Sequence, residues 1–202
     1  DRMGTQYTEF DATTPTGVPV FVTSVKPKEG PQTERFRELE RWIESGGTAV
    51  YISGPGVHFD GRHTGFQVRS AAVPFSANVE HAQGLWSSVQ HLVRAHPVFD
   101  GLPADGAMRE VYENVRAGET LRNLSGEAIV ASVGLPWYVE GELSGHELQY
   151  RGPGESWWGT DLGLVHVGKG RCVVSMLHIV PNLGRDPVAD KLFYNLVSYA
   201  SQ

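Results

Sequence analysis

The sequence predicts an α/β domain, and three observations support this fold class. The first is a strand, a helix and a second strand that follow one another within residues 18–53. The second is a long glycine-rich loop directly after that second strand, and the third is a C-terminal hairpin signal followed by a capped amphipathic helix. A strand–helix–strand unit implies a parallel strand pair joined by a right-handed crossover.

Local signals define the first unit. The β-branched run Val18–Val25 is typical of a buried strand. Thr33 is a candidate N-cap, and Glu34 follows in the first turn. Apolar residues then recur at helical spacing, namely Phe36, Leu39, Trp42 and Ile43. The pair Gly46-Gly47 ends the helix, because glycine adopts the left-handed C′ conformation without strain, and Thr48–Ser53 is the second strand.

The C-terminal part of the chain has equally local signals. The turn Gly168-Lys169-Gly170 lies between two apolar segments and predicts a β-hairpin. Asp186 is a candidate N-cap, and Pro187 suits the first helical position. The apolar face of this terminal helix consists of Val188, Leu192, Phe193, Leu196 and Val197. Other segments with a strand pattern are Val111–Arg116, Glu127–Val133, Leu162–Val167 and Arg171–Ile179.

The composition excludes several classes of protein. The chain has 202 residues, a mass of 22.1 kDa and a formal net charge of -6, which argues against a nucleic-acid partner, since such proteins carry a basic face. Its single cysteine excludes an intramolecular disulfide and a thiolate zinc site. No apolar run approaches the roughly 20 residues that span a bilayer, so we expect no membrane partner. No glycine-rich segment matches a P-loop or dinucleotide fingerprint, and we expect neither a cofactor nor a metal.

The loop Gly54–Val68 is one candidate site. It follows the carboxyl end of a predicted parallel strand, where ligands usually bind in open α/β sheets. His58, Asp60 and His63 cluster in this loop and are candidates for ligand binding, metal binding or acid–base work. A solvated loop is the alternative, because their spacing is not a specific metal signature.

Two candidate nucleophiles lack the setting that catalysis needs. Cys172 lies inside the apolar run RCVVSML, whereas a catalytic thiol in this kind of fold belongs on a sharp strand-to-helix turn. Core packing is therefore the favoured interpretation of Cys172. Ser53 lies at the end of the second strand, but the sequence ISGPG does not have the G-x-S-x-G spacing, and Pro55 hinders a following helix.

The most unusual local feature is the pair Trp157-Trp158, followed closely by Asp161. Adjacent residues of an extended chain point to opposite faces, so one indole can be buried while the other is exposed. An exposed indole beside Asp161 can stack on a sugar ring while the carboxylate binds its hydroxyl groups. Alternatively, the tryptophans belong to the core or to a domain interface, where Trp is enriched, and this is the favoured interpretation.

Several segments together resemble known families. The run FRELERWIESGGTAVYISG resembles the helix-Gly-Gly-strand unit of class I glutamine amidotransferase-like domains. The runs HPVFDGLP, YENV, WWGTDL and GKGRCVVSMLHIVPNLGRDPVADKLFYNLVSYA are similar to the C-terminal part of large bacterial enzymes that resemble the family 2 β-galactosidases. The resemblance covers about residues 18–202, and its most specific parts are GKGR and NLGRDPVADKLFYNL.

The resemblance implies a flavodoxin-like three-layer sandwich with a mostly parallel sheet, a C-terminal β-hairpin and a terminal helix. Residues 1–17 are then an irregular leader or linker, and residues 18–202 form the domain without its usual first strand and helix. Since the missing strand would pair beside the Val18 strand, we expect the parent chain or a partner to supply it. No catalytic residue is carried over. The amidotransferase cysteine elbow has no counterpart here, and family 2 catalysis uses two glutamates on a barrel for which 202 residues are too few.

Three functions follow from these observations. The first is a non-catalytic C-terminal domain of a β-galactosidase-like glycoside hydrolase, which supports assembly or substrate access and has the rest of the parent chain as its partner. The second is a carbohydrate-binding module that uses Trp157, Trp158 and the Gly54–Val68 loop. The third is a stand-alone hydrolase with an atypical triad. A homo-oligomer remains an alternative partner, and the location would be periplasmic or secreted if the parent has a signal peptide, and otherwise cytoplasmic.

Overall fold

The computed structural model describes residues 7–23, 33–52, 66–67, 73–81, 87–140, 149–153 and 157–202. The α-helices are α1 (Thr33–Glu44), α2 (Ile179–Asn182) and α3 (Pro187–Ala200). The strands are β1 (Val20–Val22), β2 (Thr48–Tyr51), β3 (Phe66–Gln67), β4 (Asn78–His81), β5 (Ser87–Val93), β6 (Gly106–Ala107), β7 (Glu119–Arg122), β8 (Glu127–Glu140), β9 (Gln149–Pro153), β10 (Trp157–Val167) and β11 (Gly170–Ser175). The fold is therefore mixed α/β, as the sequence predicts.

The described strands join into one 11-stranded sheet with the main order β1-β2-β11-β10-β7-β4-β3. A branch leaves β10 through β8, which also pairs with β5 and β9, and β5 in turn pairs with β6. The predicted strand–helix–strand unit is confirmed, because β1 and β2 are parallel, with Val20 opposite Ala49. Strand β1 lies at the end of this order, and the expected additional strand beside it stays a prediction.

The expectation of a mostly parallel sheet is wrong. Among the described strands, β2 pairs in parallel with β1 and β11, and every other pairing is antiparallel. Parallel neighbours need a long crossover, usually a helix, whereas the described chain from β3 to β11 contains no α-helix. The sheet therefore changes from parallel to antiparallel pairing at β11.

The parallel part of the sheet lies in the core. All four residues of β2 are buried, as are most of β11, and such burial on both faces is typical of parallel strands. Helix α1 packs against β11, and α3 packs against β2. The predicted inward face of α1 is confirmed by Leu39, Trp42 and Ile43, which are all buried.

Residues 7–17 form no helix or strand and lie against α1. The Trp42 indole donates a hydrogen bond of 2.7 Å to the Thr14 carbonyl oxygen. Phe10 meets the same indole edge-to-face, with 5.6 Å between ring centroids.

The predicted hairpin is confirmed. Strands β10 and β11 are antiparallel with Val167 opposite Gly170, so Gly168 and Lys169 form a two-residue turn. Gly168 has a φ of 59°, a left-handed conformation that favours glycine in such turns.

The strand predicted over Val111–Arg116 is wrong, because Glu110–Tyr112 forms a 3-10 helix. Tyr112 and Val115 are both buried, and a separation of three residues places side chains on one side of a helical turn. The apolar residues therefore follow a helical rather than an alternating period.

The cap of α3 is confirmed and supports a testable prediction. The Asp186 carboxylate accepts hydrogen bonds from the amides of Val188 (2.7 Å) and Ala189 (3.3 Å). Asp186→Ala should lower the free energy of unfolding by about 1 kcal/mol in urea denaturation, whereas Asp186→Asn should retain most of it because asparagine also caps helices. Equal losses for the two variants would contradict the capping role.

The pH dependence of this cap follows from its contacts. The side-chain hydrogen bond from Asn114, followed by the two backbone amides, lowers the pKa of Asp186 below its ordinary value of 3.8. Because the folded pKa is below the unfolded one, the stabilisation is complete above the unfolded pKa and is lost as pH falls through the folded pKa. The stability difference between wild type and Asp186→Ala should therefore be constant near neutral pH and shrink in strong acid.

Candidate functional site

Three polar side chains from three adjacent strands meet on one face of the sheet. His91 lies on β5, Ser132 on β8 and Asp161 on β10. His91 is directly opposite Ser132, and Ser132 is opposite Gly159, two residues before Asp161. Directly opposed residues of antiparallel strands share a face, so the register brings these side chains together. We call His91, Ser132 and Asp161 the polar cluster.

A β-bulge helps to place Asp161. The pairing of β10 with β8 passes directly from Thr160–Ala131 to Leu162–Val130, which leaves Asp161 as the extra residue on β10. Bulges re-aim a side chain and are common next to functional sites. The Asp161 carbonyl oxygen is not orphaned by the bulge, because it accepts a hydrogen bond of 2.7 Å from the amide of Met176.

The polar cluster is closely connected and buried. His91 Nδ1 lies 2.8 Å from Asp161 Oδ2, and the Ser132 hydroxyl lies 2.8 Å from both carboxylate oxygens. Ser132 Oγ is also 3.1 Å from His91 Nδ1. The exposed fractions are 6% for His91 and 0% for Ser132 and Asp161. Each carboxylate oxygen thus has a donor, as a buried charged group requires.

The geometry of the polar cluster differs from that of a catalytic triad. In a triad, the carboxylate binds one ring nitrogen of the histidine and the nucleophilic hydroxyl binds the other. Here Ser132 and Asp161 both lie at Nδ1, and the hydroxyl donates its proton to the carboxylate. No described residue forms a hydrogen bond with Nε2 of His91. Because the carboxylate and the hydroxyl share one ring nitrogen, the arrangement lacks the serine–histidine–aspartate relay of a triad, and the cluster acts as a structural network that satisfies a buried carboxylate.

A buried hydroxyl on β7 extends this polar region. Thr120 is fully buried, and its Oγ1 has no hydrogen-bond partner within the described ranges. A Cβ placed on Gly159 would overlap the Thr120 side chain, so glycine is needed where the two strands approach. An orphan hydroxyl of this kind is unusual in a folded protein.

The two tryptophans lie on opposite faces of β10, as alternation predicts. Trp157 is half-buried; its ring covers Gly134, and the Arg122 guanidinium lies 5.9 Å from the ring centroid. Trp158 is 58% exposed and pairs with Val133 on the other face. The exposed indole is thus separated by the sheet from the buried carboxylate of Asp161, and the two do not form one sugar site.

The polar cluster lies beside the carboxyl ends of parallel strands. Leu162, next to Asp161, is opposite Ser175 at the end of β11, and β11 runs parallel to β2. Ligand sites of open α/β sheets usually occupy this edge. Ser53 and the predicted residues His58, Asp60 and His63 lie outside the described residues, as does most of the Gly54–Val68 loop.

Cys172 is a core residue, as expected. It is fully buried in β11. Burial, with a smaller contribution from the charge of Glu40, raises the pKa of the Cys172 thiol to about 12. A thiol that is protonated at neutral pH is a poor nucleophile.

This burial predicts slow chemical labelling. Cys172 should resist alkylation by iodoacetamide in the folded protein and react fully in denaturant. An exposed cysteine introduced as Ser201→Cys is the control and should react at once, since Ser201, the C-cap of α3, is exposed. Rapid labelling of Cys172 in the native state, measured by intact mass, would contradict its burial.

His96 is a turn residue that lies directly before a 3-10 helix. Its Nδ1 accepts a hydrogen bond of 3.3 Å from the amide of Val98 and caps the 3-10 helix Pro97–Phe99. Burial, followed by the nearby charge of Arg94, lowers the pKa of His96 below 6.5. The ring is therefore neutral at neutral pH, as an acceptor at Nδ1 requires.

Sequence reasoning found Asp161 but missed its partners. His91 is 70 residues from Asp161, and Ser132 is 29 residues away. The available signal was weak: Asp161 is the one acidic residue in the otherwise apolar run WWGTDLGLV. A buried carboxylate needs donors, but only the strand register identifies them.

Neither a scan against protein-family models nor a search of curated proteins found a match for this chain.

Within the described residues, no group of three or more His, Cys, Asp or Glu side chains is arranged to hold a metal ion. No helix in the same ranges is long and apolar enough to cross a membrane. By its fold and its site, this protein is a mixed α/β domain with a buried polar cluster.

Proposed function

We propose that this chain is a non-catalytic domain of a β-galactosidase-like glycoside hydrolase and that it supports assembly or substrate access. We also propose that the domain is flavodoxin-like and related to glutamine amidotransferase domains. The part of the fold that supports this relationship is the parallel unit β1–β2–β11, with α1 packed on β11 and α3 packed on β2. The rest of the parent chain is the proposed partner.

One observation carries the proposal: the segments that bear the resemblance are joined by their own asparagine side chains. Asn195 of α3 donates hydrogen bonds of 2.9 Å to the carbonyl oxygens of Val98 and Asp100 in the HPVFDGLP run. Asn114 of the YENV run donates a 2.9 Å bond to the Asp186 carboxylate. These asparagine side chains thus hold turns and caps in place, and such a role fits a scaffold domain.

The chemistry of the described nucleophiles also favours this proposal. The Cys172 thiol is buried and protonated, so it cannot serve as the amidotransferase nucleophile. Ser132 is inaccessible and bonded to a carboxylate, so it cannot attack a substrate. The third function, a hydrolase with an atypical triad, would need a nucleophile other than these two groups.

An activity assay tests the non-catalytic part of the proposal. The purified chain should hydrolyse neither nitrophenyl glycosides, nitrophenyl esters nor glutamine above the buffer rate. Ser132→Ala and His91→Ala should leave that baseline unchanged. Turnover by the wild-type chain that either substitution abolishes, while circular dichroism shows a folded variant, would overturn the proposal in favour of a hydrolase.

A further inference from the structure

The face of β5, β8 and β10 opposite the polar cluster carries an uncharged patch. Trp158 lies opposite Val133, which lies opposite Gln90, so these three residues form one row across the strands. Ala131 and Leu92 form the next row. We call Trp158, Val133, Gln90, Ala131 and Leu92 the outer patch.

The outer patch is exposed. Trp158 is 58% exposed and Leu92 is 43% exposed, Gln90 is also exposed, and Val133 and Ala131 are half-buried. Large apolar side chains that are exposed on one face of a sheet are a recognised mark of a binding surface. The patch contains no charged residue, and Arg94, which directly follows β5, is already paired with Glu127.

We propose that the outer patch binds an uncharged glycan chain. Trp158 presents a broad apolar ring for stacking on the C–H face of a sugar, and its indole N–H is a donor for hydroxyl groups. Gln90, two strands away, has an amide that both donates and accepts hydrogen bonds, as a hydroxyl group requires. The absence of charge matches a neutral sugar rather than a uronic acid or a sulfated sugar.

The size of the outer patch favours a glycan over a protein. Strand spacing places the Trp158 and Gln90 backbones about 10 Å apart, which is a suitable span for a narrow ligand. A stable protein interface uses about 20–30 residues from each partner, far more than the described patch provides. An exposed sheet face also suits an extended chain better than a ligand that needs an enclosed pocket.

Binding of neutral polysaccharides tests this proposal. The probes are the neutral polymers galactan and xylan and the anionic polymer polygalacturonate. Only the choice of galactan as the first probe rests on the proposed function. Titration calorimetry and tryptophan fluorescence should show binding of a neutral polymer, with none to polygalacturonate. Trp158→Ala should weaken binding at least tenfold, Trp158→Phe should retain part of it, and Gln90→Ala should weaken it severalfold.

The matched control is Tyr194→Ala, because Tyr194 is a 62% exposed aromatic residue on α3, away from the patch. This variant should bind like wild type. Absence of binding to every neutral polymer, or equal binding by Trp158→Ala, would overturn the proposal. Concentration-dependent dimerisation that Trp158→Ala abolishes would also overturn it and assign the patch to a contact between copies. Each of these negative outcomes leaves the activity test of the proposed function unaffected.

Discussion

Replacing Asp161 by alanine is expected to lower the free energy of unfolding by about 3–5 kcal/mol, the usual range for removing one partner of a buried charged network. The carboxylate accepts from both Ser132 and His91, and all three side chains are buried. Alanine would leave a buried hydroxyl and a buried imidazole without their acceptor. Urea denaturation at neutral pH measures the loss.

Two further variants test whether the loss of stability comes from the polar cluster. Asp161→Asn keeps the shape and offers an acceptor to His91 and a donor to Ser132, so its loss should be clearly smaller. Asp100→Ala is the matched surface control, because Asp100 is exposed, and its effect should stay within about 0.5 kcal/mol. If Asp161→Ala were as stable as this control, the polar cluster would not be a structural network.

Gly170→Ala is expected to destabilise the protein by about 3 kcal/mol, at the upper end of the usual cost of overpacking. A Cβ on Gly170 would overlap the carbonyl oxygens of Ile43 and Gly47, which are backbone atoms and cannot rotate away. The close approach occurs where the end of α1 meets the β10–β11 hairpin, and the Lys169 amide donates to the Glu44 carbonyl oxygen there. The substitution should therefore separate two elements of the parallel unit.

Gly106→Ala is the control for this prediction, because a Cβ on Gly106 meets no atom within 4 Å. Thermal or urea denaturation of the two variants should show a large loss for Gly170→Ala and almost none for Gly106→Ala. Equal stability of the two variants would show that α1 can move away from the hairpin at little cost.

The parts of the fold that the sequence predicts are those with local signals. Helix α1 follows from its apolar spacing and the Gly46-Gly47 stop, and α3 follows from Asp186 and Pro187. The β10–β11 hairpin follows from its two-residue turn. In each instance the interacting residues are close in sequence, so composition and spacing contain the necessary information.

The antiparallel part of the sheet depends on contacts between distant segments. Strand β10 pairs with β7, β8 and β11, and no local pattern states which strands are neighbours. The bulge at Asp161 and the approach of His91 both follow from this register. For the same reason, the candidate site could be predicted only as far as one residue, Asp161, and without its two partners.

The proposed function makes this chain a non-catalytic domain of a larger glycoside hydrolase. The most direct test is the intact mass of the natural protein, purified from its source and matched to its complete reading frame. We expect a much longer polypeptide that contains a (β/α)8 barrel with two catalytic glutamates. A natural protein of 22.1 kDa that functions alone would contradict it.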